Sequence, residues 1–237
     1  MRRIFFLVVA ACLATAPLSA QDPVKVDPKH YKVEFENDRV RVIRSHYGPH
    51  EKGAMHQHPA NVSVLLTDIH NKVTLPDGKT EEFHGKAGQT GWLAAVKHQA
   101  ENLTDKPFEL IQVELKSGHQ APIPAVDASL DPVRVNPTQY KVEFENDRVR
   151  VLRVRYGPRA KGRLHQHPPV VVVNLTDTHL RLIRPDGETQ DIHEKAGSTV
   201  WVPGDKHEAE NLSDQPFEEI LVELKTRPAA AKPAAKK

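Results

Sequence analysis

Six histidines carry the clearest chemistry in this sequence. His56 and His58 bracket Gln57 in His56-Gln57-His58-Pro59, and His165 and His167 bracket Gln166 in the same arrangement 109 positions later. On a strand, alternate side chains share a face, so each pair points one way with its Cα atoms roughly 6.6 Å apart. Two imidazoles at that spacing can converge on one metal ion. About 40 residues further on, each pair is followed by a third histidine, His98 or His207. Three neutral imidazoles on one side of an ion leave positions open for water or substrate. They suit Zn, Fe, Ni or Cu better than Ca or Mg. The expected cofactor is thus a divalent transition metal (Fe, Zn, Ni, Cu or Mn), with its identity open. With no anionic ligand the ion keeps its full charge and acts as a stronger Lewis acid. The only cysteine is Cys12, near the N-terminus, so a thiolate ligand or a disulfide is not expected in the folded body.

The elements that position these residues come in duplicate. Tyr31 to Val42 recurs unchanged at Tyr140 to Val151, and residues 27–116 match 136–225 at about 60% of positions. This is an internal repeat of two units, each the size of a small domain. Residues 117–135, with Pro122, Pro124 and Pro132, read as the linker. Within each unit the signals are for strands. Val62 to Leu66 and Val170 to Val173 are short apolar runs. Pro76-Asp77-Gly78 and its partner Pro185-Asp186-Gly187 are hairpin turns. Phe108 to Leu115 alternates near its end, which predicts Ile111, Val113 and Leu115 facing in and Gln112 and Glu114 facing out. No stretch has a helical period of ten or more residues. The expected fold class is all-β: two tandem small antiparallel barrels, at 27–116 and 136–225.

At this point the sequence resembles the cupin family. That family's first motif is a glycine, HxH and then a glutamate; its second is a glycine, Pro-x-Gly, a histidine and an asparagine. His56, His58, His165 and His167 match the HxH. Gly197, Pro203, His207 and Asn211 match the second motif, with the Pro-to-His gap one residue short; Gly88, His98 and Asn102 match it in the first unit, where Ala94 replaces the proline. Both units are covered, so the chain looks like a bicupin. The resemblance implies jelly-roll barrels with the ligands pointing into the mouth. It also implies a metal-dependent oxygenase, isomerase or decarboxylase, or else a metal- or ligand-binding protein. The family's glutamate ligand falls at Val62 or Ser63 and at Val171 or Val172, none of which is a carboxylate. Gly48 and Gly157 lie too far upstream for the first motif, and Gly53 and Gly162 too near. What remains is a neutral three-histidine site in each barrel. Pro203-Gly204-Asp205 makes the second unit the expected better-ordered one.

Other repeated residues are weighed against it. Arg44 and Arg153 share a strand face with Val42 and Val151 and are candidates to reach the barrel interior and hold a carboxylate, or else are solvated strand-end charges. Asn102 and Asn211, with Glu101 and Glu210, are candidates to orient the third histidine. Trp92 and Trp201 read as core or wall residues, with substrate stacking as the alternative. The pairs His70/His84 and His179/His193 flank the hairpins, where exposure is expected, with a second metal or proton-relay role as the alternative.

Residues 1–20 read as an export signal, with Arg2-Arg3, an apolar run from Ile4 to Leu13, and Leu18-Ser19-Ala20 as a cleavage site. Lipidation at Cys12 is the minor alternative. The expected location is periplasmic or secreted, with no transmembrane segment in the mature form. From 21 to 226 there are 27 basic and 31 acidic side chains, while the last eleven residues hold four bases and no acid. An acidic body argues against nucleic-acid binding. The tail from 226 to 237 reads as disordered. The expected partner is a small polar or anionic molecule, with a homo-oligomer possible.

Overall fold

A computed structural model describes residues 21–117 and 121–226. The expected leader at 1–20, with Cys12, and the tail from 227 onward lie outside the described residues. In the first repeat the strands are β1 (Tyr31–Glu36), β2 (Val40–Tyr47), β3 (His56–His58), β4 (Asn61–Leu65), β5 (Ile69–Thr74), β6 (Thr80–Gly85), β7 (Thr90–Leu93), β8 (Val96–Asn102) and β9 (Phe108–Leu115). In the second they are β10 (Tyr140–Glu145), β11 (Val149–Tyr156), β12 (His165–His167), β13 (Val170–Asn174), β14 (Thr178–Ile183), β15 (Thr189–Glu194), β16 (Thr199–Val202), β17 (Asp205–Asn211) and β18 (Phe217–Leu224). Each repeat folds into a five-stranded sheet (β1-β2-β9-β4-β7 and its counterpart) and a four-stranded sheet (β3-β8-β5-β6 and its counterpart), all pairs antiparallel. The fold class is the all-β double barrel the sequence predicts.

The repeat begins earlier than residue 27. Asp22 caps a single helical turn, α1 (Pro23–Val26), and Asp131 caps its twin, α2 (Pro132–Val135). The Asp22 carboxylate accepts one backbone N–H and that of Asp131 two, and proline supplies the fixed φ of each first turn. One turn is too short to leave a helical period in the sequence. The last five residues assigned to the linker therefore belong to the second unit.

The five-stranded sheets of the two barrels pack on each other. One continuous apolar cluster joins Val40, Val42, Val62, Ile111, Val113 and Leu115 to their equivalents Val149, Val151, Val171, Ile220, Val222 and Leu224. Trp92 and Trp201 flank it, and Phe35 stacks on Trp201 across the boundary. Full burial of each such aliphatic contributes about 1.5–3 kcal/mol.

This packing reverses the expected facing of β9. Ile111, Val113 and Leu115 face the other barrel. Gln112 and Glu114 face the lumen and are 4% and 1% exposed. The alternation was legible, but both faces are buried because the sheet is a shared wall.

Arg44 and Arg153 also serve this junction and not the lumen. Arg44 pairs with Glu34 and donates to the carbonyl oxygen of Gly197 in the other barrel; Arg153 pairs with Glu143 and donates to that of Gly88 at 2.6 Å. Gly88 and Gly197 sit at φ of 81° and 83°, a region glycine enters without steric cost. These two candidates for holding a substrate are thus built into the inter-barrel seam.

Candidate metal centre

Each histidine triad is assembled by one strand pairing. β3 is three residues long and lies antiparallel to β8, with His56 directly opposite His98. His58 is two residues along the same face. β12 and β17 repeat this, with His165 opposite His207. In the first barrel the ring centroids are 4.8, 4.6 and 5.5 Å apart; in the second they are 4.9, 4.6 and 5.7 Å. Within each triad one nitrogen per ring lies within 4.8 Å of the others. The chain reaches β3 through Gly53, where an added Cβ would sit 2.3 Å from the Tyr47 hydroxyl. Gly162 meets Tyr156 in the same way, so both glycines are required by close approach, although their spacing is unlike the family motif.

Hydrogen bonds set the tautomers. His58 Nδ1 lies 2.7 Å from the Glu114 carboxylate, and His56 Nδ1 donates to the Ala54 carbonyl at 2.8 Å. Both rings therefore turn Nε2 lone pairs inward. Those two atoms are buried with no partner among the described residues. A buried acceptor without a partner is costly, and a divalent ion satisfies both at once. These residues fit a metal.

Glu114 is held in turn by Arg41, which also binds Asp22; Glu223, Arg150 and Asp131 repeat the chain behind His167. A carboxylate behind a ligating histidine fixes its orientation and raises its basicity. The acid missing after HxH is thus present behind the ligand, supplied from β9 and β18. Sequence reasoning placed Glu114 outside; its only signal was a charged residue in the middle of an apolar strand.

The barrels differ in the first ligand. Tyr31 hydroxyl bonds the Tyr47 hydroxyl at 2.9 Å and leaves His56 Nε2 free. In the second barrel the Tyr140 hydroxyl takes His165 Nε2 at 2.9 Å. His165 would have to give up that bond to hold an ion through Nε2. In the first barrel the Nε2 atoms of both HxH histidines are free of hydrogen bonds, whereas in the second that of His165 is engaged. Burial and the neighbouring His58 push His56 down to about 4; burial and both other rings push His98 to about 3, and burial with His167 and His207 does the same to His165. Burial also lowers His207, opposed by Asp205 at 3.4 Å. At neutral pH these rings are uncharged, as ligands must be.

Asn102 and Asn211 hold loops. Asn102 Nδ2 donates to Gly48 and Lys106 carbonyls and its Oδ1 accepts from Thr104; Asn211 does the same with Gly157, Gln215 and Ser213. Glu101 and Glu210 pair with lysines at the surface. These four side chains shape the end of β8 and β17 and do not orient the third histidine. His70 and His84 stack on the outer hairpin beside Glu82, and His179 stacks on His193.

The second barrel also encloses a cavity of about 110 Å³ that runs from His167 and His207 to Glu219. Burial raises Glu219 to about 7, with the Thr178 hydroxyl opposing and Glu194 adding to the shift. Its folded pKa lies above the unfolded value of 4.5, so the folded chain holds the proton more tightly. That stability is fully present below pH 4.5 and is lost as pH rises through about 7, by about 3 kcal/mol in all. Denaturant melts at about pH 5 and about pH 9 should show wild type losing this amount relative to Glu219→Gln. Parallel pH dependence in the two proteins would mean that the carboxyl is ionised and solvated.

No protein-family profile matches the chain, and no curated protein matches it by sequence. Solved structures do. AerE from Microcystis aeruginosa superposes with a TM-score of 0.56 at 15% identity, covering 82% of this chain and 97% of its own. A substituted oxalate decarboxylase from Bacillus subtilis gives 0.56 at 13% identity, covering 81% and 70%. A second form of that enzyme, studied for its Mn(II) centres, gives 0.56 at 12%, covering 86% and 77%. These likenesses define the fold: a tandem double cupin, with a three-histidine cluster in each barrel. Among the described residues no helix is long and apolar enough to cross a membrane.

Proposed function

We propose that the protein is a metal-dependent double cupin that holds a divalent transition ion on His56, His58 and His98 and another on His165, His167 and His207, and acts on a small molecule bound beside them. The observation that carries this reading is the pair of inward, unpartnered Nε2 atoms of His56 and His58, one of them fixed by a buried carboxylate. A bound ion would supply Lewis acidity toward an anionic oxygen and a coordination site for O2. The chain's own part is to fix three neutral donors, back His58 and His167 with Glu114 and Glu223, and exclude bulk water from the lumen. The neighbouring fold of oxalate decarboxylase supports decarboxylation as one candidate reaction, and oxygenation or isomerisation uses the same open positions. Export is part of the proposal and rests on the leader-like residues 1–20.

The test is metal content of the protein purified without chelators, then reconstituted at neutral pH with Mn, Fe, Zn, Ni or Cu. The expected result is two ions per chain, with the first-barrel site filling first because no hydrogen bond is displaced there. No ion retained after reconstitution would overturn the reading. Release of CO2 or uptake of O2 across a panel of small acids then separates the reaction types from simple binding.

A further inference from the structure

The two lumens have diverged while their triads have not. Of the 19 residues around the second-barrel cavity, 13 differ from the residue 109 positions earlier. Across the whole repeat only about 40% of positions differ, so change is concentrated in the lumen.

The changes run in both senses around the cavity. Along the lumen, the first barrel has Ser45, Asn61, Asn71 and Gln112 where the second has Val154, Val170, Leu180 and Leu221, with Val154 directly opposite Glu219 on the neighbouring strand. Ser45 donates to Gln112 at 2.7 Å, and the Oδ1 atoms of Asn61 and Asn71 are buried without a partner among the described residues. At three other positions the pattern inverts. The first barrel has Leu65, Ile69 and Leu110, of which Leu65 and Ile69 are buried in one apolar cluster and Leu110 packs against it. The second has Asn174, Thr178 and Glu219, all buried. Thr178 donates to Asn174 Oδ1 at 3.1 Å, and Asn174 donates to Ser198. The Glu219 carboxyl lies beside the Thr178 hydroxyl and lines the cavity. Glu219 and Glu223 share a face of β18 four residues apart, roughly 13 Å along the strand. Glu223 supports the metal ligand, and Glu219 lines the same cavity further along the strand.

We propose that the second barrel takes a short aliphatic carboxylate with a hydroxyl or amide tail: the head group at the ion on His165, His167 and His207, the carbon chain against Val154, Val172 and Leu221, and the tail hydrogen-bonded to Glu219. This rests on the metal reading of that triad. A volume near 110 Å³ matches about three to four waters, so the chain is short, of about four carbons. The apolar wall disfavours a dianion such as oxalate, which would leave charged oxygens unpaired. Barrel one, with polar residues at the same wall, does not share this preference. The groups facing Glu219 are Glu194, Thr178, Asn174 and the hydroxyls of Tyr140 and Tyr156. None is a cation, so the carboxyl is free to act as a neutral hydrogen-bonding group.

Calorimetric titrations of the metal-loaded full chain with 4-hydroxybutyrate, butyrate and oxalate test this, with His56→Ala/His58→Ala removing the first-barrel ion. At about pH 6, 4-hydroxybutyrate should bind about fivefold tighter than butyrate, the worth of one hydrogen bond, and oxalate weakest. Glu219→Leu, which installs the first-barrel residue, should retain its ion and lose or reverse the preference for the hydroxyl. Glu219→Gln, nearly isosteric, should keep it and guards against misfolding of the leucine variant. An ion held with no affinity for either monocarboxylate, tighter binding of oxalate, or a hydroxyl preference unchanged in Glu219→Leu would overturn the proposal. Failure to hold an ion at all in the second barrel would instead show up as metal content and would overturn the metal reading of that triad.

Discussion

Replacing His56 and His58 together by alanine should reduce bound metal from two ions per chain to one. The remaining His98 is a single neutral donor opposite the vacated face of β3. Changes behind a ligand typically cost about 10–100-fold in metal affinity, and losing two ligands outright should cost far more. The second-barrel ion should be unaffected, because its three donors all come from β12 and β17. The mirror change, His165→Ala with His167→Ala, should spare the first. The measurement is metal content at equilibrium with micromolar free ion, with thermal unfolding as a control for fold. Glu114 keeps Arg41 as its partner when His58 is removed, so the variant should still fold, and a folded variant that loses both ions would show the sites to be coupled or misassigned.

The second large effect lies away from the metal. Val113→Asp should destabilise the protein by several kcal/mol, about 4 or more, and lower the unfolding midpoint of both barrels together. Val113 is fully buried, and its strand face meets the other barrel's Val and Ile side chains. A carboxylate there has no cation within the apolar cluster. By contrast, Arg44→Ala and Arg153→Ala remove hydrogen bonds from the edge of the same seam and should cost less, about 1–2 kcal/mol. If Val113→Asp were tolerated within 1 kcal/mol, the sheets would not be packed on each other in solution. Separate transitions for the two repeats would mean that the barrels fold independently.

Much of this site was legible in sequence because it obeys strand periodicity. The HxH pairs share a face by alternation, and the third histidine stood out through its place in both repeats. The duplication itself separated residues that drift from residues that do not. The facing of β9 was not legible. Its alternation was plain, but a shared wall buries both faces, and hydrophobicity cannot say which buried face is the lumen. The rule that apolar residues face in put Ile111, Val113 and Leu115 in the lumen and Glu114 in solvent. The reverse holds because the second barrel covers the outer face. The arginines followed the same error, since a strand end that looks solvated in one unit abuts a loop of the other.

The HxH stretch and its partner histidine therefore needed only sequence to be recognised as a candidate ligand set, because ligand type and spacing are local properties. Tertiary structure decided what stands around them. Glu114 and Glu223, some 56 residues from the histidines they support, reach them only through strand pairing and barrel closure. The difference between the barrels also arises there: a tyrosine hydroxyl turned toward Tyr47 in one and toward His165 in the other, and a lumen whose polar positions differ. Sequence lists those residues, but their convergence on one cavity is a property of the closed barrel.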